Sequence, residues 1–244
     1  MLLEDKSAVI YGGGGSIGSA VARVFAREGA KVFLAGRTPA RLDEVAGEIR
    51  SAGGVAETAE VDALDAAAVD RHADEVAEKA GGIDVSFNLI SHGAVQGTPM
   101  VEMSPEDYER PVVTAVMTTF LTTRAAGLGR DPGFRRLGRA VARPLSGRPP
   151  GRIRGDRIHA PPALVGARPS WVRVVTLRTG GVPESIPEGF EGSDQIAEEI
   201  ERTTMLGRAA TLEDIGNVAA FVASDRARTM TAATANVSCG ALVD

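Results

Sequence analysis

Cysteine is nearly absent: Cys239 is the only one, which excludes an internal disulfide and any cysteine-based metal cluster and fits a reducing compartment. Long apolar runs are missing too, so no membrane span is expected. The opening stretch, Met1 to Lys6, has no basic run, apolar segment or cleavage site, and the expectation is a cytoplasmic protein without a secretory signal. Tyrosine is limited to Tyr11 and Tyr108, lysine to Lys6, Lys31 and Lys79, and histidine to His72, His92 and His159. No His, Asp and Glu stand at metal-ligand spacing, so no metal is expected, and no Ser/His/Asp arrangement can be read. A net charge of −5 argues against nucleic acid or an anionic membrane as the main partner.

What is present suits one α/β domain spanning 1–244, with 43% hydrophobic residues and enough length for a sizeable core. One stretch differs from the rest. Gly127 to Ser170 holds 10 Arg, 2 acids, 8 Gly and 7 Pro in 44 residues, a net +8, so the remainder of the chain carries −13. It has no lysine or glutamate, one aromatic (Phe134) and no sustained apolar period of 2 or 3.6, and no confident element is read inside it. With so few aromatics and no helical stripe it is a poor nucleic-acid patch.

Outside that block, strand and helix patterns alternate, the signature of a parallel sheet covered by helices on both faces. Strands are expected at Ser7 to Tyr11, Lys31 to Ala35, Val55 to Val61, Ile83 to Ile90, Val172 to Leu177 and Ala235 to Val237. Helices are expected from Ser16, where Ile17, Ala20, Val21, Val24 and Phe25 share a face, and at Pro39 to Ala52, Ala66 to Lys79 and Pro105 to about Ala126. Two more follow at Gln195 to Thr203 and Leu212 to Ala223. Right-handed crossovers then imply a Rossmann-type doubly wound parallel sheet with a nucleotide across the carboxyl ends of its strands.

The first turn supports that. Gly12-Gly13-Gly14-Gly15-Ser16-Ile17-Gly18 runs from strand into helix: glycines admit a pyrophosphate without a Cβ in the way, and the helix start offers unpaired N–H groups. A flexible surface turn is the plain alternative. After the second strand the chain reads Ala35-Gly36-Arg37-Thr38, with no acid for ribose hydroxyls and a guanidinium suited to a 2′-phosphate, which favours NADP over NAD. Arg37 also has the plain reading of a solvated loop residue. Asp62, in Val61-Asp62-Ala63, is placed either to accept from an adenine amino group or to cap a helix. Asn88, near the end of the fourth strand, is expected to fix the backbone around the nucleotide.

These residues resemble the short-chain dehydrogenase/reductase family. Gly12 to Gly18 look like its TGxxxGxG loop, Asp62 like its adenine-contacting aspartate, and Asn88-Leu89-Ile90-Ser91 like a degenerate NNAG. Leu206-Gly207-Arg208, Glu213-Asp214-Ile215 and Phe221-Val222-Ala223-Ser224-Asp225 resemble its LGR, EDI and FLASD run, and Val237-Ser238-Cys239-Gly240 its closing VDGG. The resemblance covers about 200 residues, all but the block. It implies cofactor contacts from Gly12, Gly14, Gly15, Ser16, Ile17, Gly18, Arg37, Asp62, Ala63, Asn88, Gly180 and Val182, with Thr179-Gly180 standing where Pro-Gly is usual. It also implies hydride transfer between NADP(H) and a small carbonyl or alcohol, with Pro183 to Thr204 as the substrate lid.

The departure is chemical. The family uses a Tyr phenol to transfer the proton, a Lys four residues on to lower its pKa, a Ser to orient the carbonyl and an Asn in a proton relay. A phenol works near neutrality only when positive charge depresses its pKa by several units. Four residues beyond Tyr11 and Tyr108 stand Gly15 and Val112, so no YxxxK exists, and the Asn position falls near Ala115. Ser146 lies close to the family Ser but not in a readable strand end. His92, directly after the fourth-strand motif, is the alternative acid/base, with a structural loop histidine as its plain reading; His72 reads as surface and His159 is unplaced.

The block replaces the end of helix four, strand five and helix five at nearly their usual length. Back-translating Val165 to Pro169 and reading one nucleotide on permits Ser-Glu-Leu-Gly-Pro, so a reading-frame disturbance and a genuine Arg/Pro-rich insertion are both open. A block without strand five would leave a gap in the sheet, and because family members commonly pair through helices four and five, homo-oligomerisation is open as well. The competing function is a dinucleotide-binding protein without turnover: pseudoenzyme, sensor or partner subunit.

Overall fold

From the first strand, Ala8 and Ile10 enter one apolar cluster while Val9 and Tyr11 enter another, so this strand is buried on both faces. That is what a central parallel strand requires. The computed structural model describes residues 1–95, 98–127, 139–142, 144–145, 172–187 and 189–243. Its strands are β1 (Ser7–Tyr11), β2 (Lys31–Gly36), β3 (Val55–Glu60), β4 (Val85–Asn88), β5 (Arg139–Ala142), β6 (Pro144–Leu145), β7 (Val172–Thr179) and β8 (Ala233–Val237). Its helices are α1 (Ser16–Arg27), α2 (Pro39–Ser51), α3 (Ala66–Ala80), α4 (Pro105–Gly127), α5 (Ser193–Arg202) and α6 (Leu212–Ala223).

All the pairings are parallel, in the order β3-β2-β1-β4-β5-β7, with β8 also on β7. β6 lies on β7 in the same register as β5: Arg139 stands opposite Val172 and Pro144 opposite Leu177, so the two continue one strand line. Side chains of α1, α2 and α6 fill one face of the sheet, around Leu34, Leu177 and Ile215, and those of α3 and α4 the other, around Phe33, Val69 and Leu121. This is a single-domain Rossmann-type doubly wound α/β fold.

Local chemistry sets the element ends. Asp65 caps α3 by accepting from Ala67 N and Ala68 N, and Gly81 closes that helix at φ +75°. Thr211 and Asp214 form a reciprocal capping box at α6. β4 is shorter than the apolar run Ile83 to Ile90 implies, because the Asn88 side chain accepts from Ile90 N at 3.0 Å and turns the chain out of the sheet.

Two expectations are corrected. The sheet has no gap between β4 and β7: Val85, Ser86 and Phe87 face Ala140, Val141 and Ala142, and Arg139 to Val141 face Val172 to Val174. Ladder hydrogen bonds come from the backbone, so four residues free of Gly and Pro suffice, too short a run to register as a period. His72 is buried rather than surface, with its ring edge-on to Tyr11 at 5.9 Å between centroids. Among the described residues, no helix is long and apolar enough to cross a membrane.

Candidate functional site

The strand order reverses direction between β1 and β4, and a crevice opens there at the carboxyl ends. Gly12 turns the chain at φ +81°, donates to Ala35 O at 2.7 Å, and sits so close to the loop after β4 that a Cβ would stand 2.5 Å from Leu89 O. At Gly18 a Cβ would stand 2.2 Å from Gly12 O, so α1 packs on β1 only with glycine at this position. Gly15 is the N-cap of α1, with no side-chain cap and no acid in the first turn. The first-turn N–H groups, of Ser16, Ile17 and Gly18, therefore keep their positive end open toward the crevice. Ile17 meanwhile packs against the core and anchors the turn.

Beside this loop stand two arginines. Arg37, just past β2, and Arg41, in the first turn of α2, are exposed, and neither guanidinium has a hydrogen-bond or ion-pair partner among the described residues. A Cβ on Gly14 would stand 3.0 Å from the Arg41 Cβ, which fixes α2 against the glycine loop. Arg41 was open to sequence reasoning: Pro39 marks the helix start, and the second arginine lies in that helix's first turn. At the end of β3, Asp62 Oδ1 accepts from Leu64 N at 3.0 Å, while the helix-cap role belongs to Asp65. Ala63 is buried in the core behind it.

Asn88 is buried and committed inward. Its Nδ2 donates to Thr118 Oγ1 at 3.2 Å and its Oδ1 accepts from Ile90 N, which ties the end of β4 to α4. At the end of β7, Gly180 and Val182 are buried, and a Cβ on Gly180 would press on Ser238 and Ala241. Thr118 had no motif to announce it, since it acts by position alone.

The proton-transfer groups are arranged less favourably. Burial, and then the Asp70 charge, push the Tyr11 phenol well above the usual tyrosine range, opposite to what acid/base work at neutral pH needs. Tyr108 lies half exposed in the first turn of α4. Lys6 pairs with Asp225 before β1, Lys31 opens β2, and Lys79 pairs with Glu57 at the end of α3, so all three lysines lie at the amino edge of the sheet. His92 is half-buried in the loop after β4. Ser146 and His159 lie outside the described residues. Among the described residues, no group of three or more His, Cys, Asp or Glu is placed to hold a metal ion.

Residues 6–127 match the family model described as short chain dehydrogenase, half of the chain, and residues 165–241 match the one described as Enoyl-(Acyl carrier protein) reductase. The chain belongs to the short-chain dehydrogenase/reductase family. The matched stretches leave 128–164 between them. The meso-2,3-butanediol dehydrogenase of Serratia marcescens is 31% identical over 99% of this chain and 96% of its own length. The A-factor type gamma-butyrolactone 1′-reductase of Streptomyces virginiae is 29% identical over 98% and 96%. Among solved structures, a short-chain type dehydrogenase/reductase from Mycobacterium marinum superposes with a TM-score of 0.79 at 26% identity, covering 99% of this chain and 97% of that one. One from Mycobacterium ulcerans gives 0.82 at 23% identity, covering 99% and 91%, a likeness of fold.

Membership in the short-chain dehydrogenase/reductase family makes this an oxidoreductase that uses a nicotinamide dinucleotide. The residues present fit the adenylate and pyrophosphate part of such a group: the turn leaves no room for a Cβ at Gly12 or Gly18, and the start of α1 is free of carboxylates. Around the ends of β4 and β7 the described residues include Asn88, Gly180 and Val182 but no lysine.

Proposed function

We propose that this short-chain dehydrogenase/reductase moves hydride between NADP(H) and a small carbonyl or alcohol. The observation that carries the choice of cofactor is the pair of exposed guanidiniums without partners among the described residues, Arg37 just past β2 and Arg41 beside Gly14, with no carboxylate at the end of β2. Two guanidiniums there favour a 2′-phosphate over a bare ribose diol.

When bound, the dinucleotide supplies or accepts the hydride. In this reading the chain cradles the pyrophosphate with Gly12, Gly14 and Gly15 and the N–H groups of Ser16, Ile17 and Gly18, while Asp62 accepts from the adenine amino group and the buried Ala63 fixes the backbone beside it. Asn88 keeps the loop after β4 in place, and Gly180 and Val182 would help hold the nicotinamide. His92 carries the proton at its imidazole, the side chain described in the β4 loop that ordinarily titrates near neutrality.

Titration with NADPH and NADH, followed by assays on a carbonyl panel, tests the reading. NADPH should bind about 10-fold tighter or better, and Arg37→Ala with Arg41→Ala should erase that margin. Equal binding of the two cofactors would overturn the NADP assignment. Tight binding with no turnover of any carbonyl would replace the enzyme by a dinucleotide-binding protein, a function that the match to oxidoreductases along the chain does not favour.

A further inference from the structure

The segment between β7 and α6 leaves the carboxyl edge of the sheet, and its composition is lopsided. Gly181 to Leu206 holds seven carboxylates and one arginine, a net −6 in a chain whose total is −5. Within it α5 separates its two chemistries. Asp194, Glu198 and Glu201 recur at i, i+4 and i+7 in one exposed stripe, none with a partner among the described residues, while Ile196, Ala197 and Ile200 share another side. Ile200 on that side meets the body of the protein, since a Cβ on Gly181 would stand 2.6 Å from its Cγ1.

The same segment exposes large apolar side chains with nothing of their own to bury against. Phe190 is 52% exposed, Ile196 40%, Met205 75% and Leu206 68%. Met205 and Leu206 are held there rather than dangling, since their N–H groups donate to Cys239 O at 3.0 and 3.2 Å. Exposed apolar groups rimmed by charge at the carboxyl edge describe a surface that takes an apolar, uncharged ligand.

We infer that the substrate is a neutral, predominantly apolar carbonyl or alcohol, and that the carboxylates of Gly181–Leu206 exclude anionic substrates such as keto acids, phosphorylated carbonyls and thioesters on phosphate-bearing carriers. The inference rests on the proposed role of the carboxyl edge as the place of hydride transfer. Anionic cofactor is not excluded by the same field. Its phosphates belong at the start of α1 and beside Arg37 and Arg41, on the β1 to β3 side of the sheet, while the acidic segment leaves β7. Screening confines each field to roughly 8 Å at physiological salt.

Acetophenone and 4-acetylbenzoate differ by one carboxylate and provide the test. Their dissociation constants are measured by ligand-detected NMR on the full chain saturated with oxidised NADP, which cannot reduce them, at about 50 mM and about 0.5 M salt. The neutral ketone should bind about 10-fold tighter at low salt, with the gap narrowing at high salt and in the variant Asp194→Asn/Glu198→Gln/Glu201→Gln. A carboxylate bound as tightly as its neutral partner, or a gap indifferent to salt and to the triple variant, would overturn the proposal. So would failure of both ketones to bind a protein that holds oxidised NADP, a result that leaves the cofactor reading standing. Should NADP itself fail to bind, the cofactor reading falls, and the same ratio measured without it still decides the charge selection.

Discussion

At Cys239 the backbone takes φ +52°, a left-handed conformation that costs a residue with a Cβ roughly 1 kcal/mol. Cys239→Gly is therefore expected to raise the unfolding free energy by about 1 kcal/mol, read as a higher urea midpoint at unchanged slope. At Gly18 the glycine is already in place and needed for space. In Gly18→Ala the new methyl would meet Gly12 O at 2.2 Å, and the glycine turn must open. Dinucleotide affinity should fall by at least about 10-fold while the circular dichroism of the fold persists. His72 adds a pH effect. Burial holds its imidazole below the ordinary 6.5, against a smaller upward pull from Glu75 and a downward one from Lys79. Below about pH 6.5 the unfolded chain takes up the proton first, so stability falls as pH drops, by at most about 1.4 kcal/mol per unit. His72→Phe should remove that component from urea unfolding compared at pH 7.5 and pH 5.5. The charged residues around His72 hid its burial in the sequence, because Arg71, Asp74 and Glu75 are its exposed neighbours on the same helix.

Among the elements, β7 reaches across the sheet through one charged side chain. Arg173 is buried, and its guanidinium donates to Val222 O, Ser224 O and Met230 O at 2.9 to 3.2 Å, fastening the end of α6 and the turn after it to the sheet. Arg173→Met should cost about 3 kcal/mol in chemical denaturation, since it leaves those carbonyls without their donor. The contact between β4 and α4 has the reverse problem: Ser86 Oγ and Thr123 Oγ1 are buried without partners. Ser86→Ala is expected to be neutral or stabilising by up to about 1 kcal/mol, whereas Thr118→Val, which removes the nearer acceptor of Asn88 Nδ2 and leaves only Thr122 Oγ1 at 3.5 Å, should destabilise. Long elements with a clear apolar face, such as α1 with Val21, Val24 and Phe25, were legible to within a residue or two. β5 was not, because a four-residue strand inside an Arg-rich stretch is defined by its neighbours' backbone and not by its own pattern.

For the molecule as a whole, the glycine turn of the candidate site was legible because glycine spacing is a direct record of close approach: Gly12 and Gly18 are fixed by contacts that a Cβ would not permit. The rest of the site was legible mainly as a deficit. Lysine and tyrosine counts excluded a YxxxK pair at once, and the structure adds that the lysines present are grouped at the opposite edge of the sheet. That grouping has a practical consequence for handling the protein. Amine-directed coupling, to a bead or a sensor surface, would attach the chain through exposed Lys31 and Lys79 and leave the glycine turn and the acidic segment facing the solution.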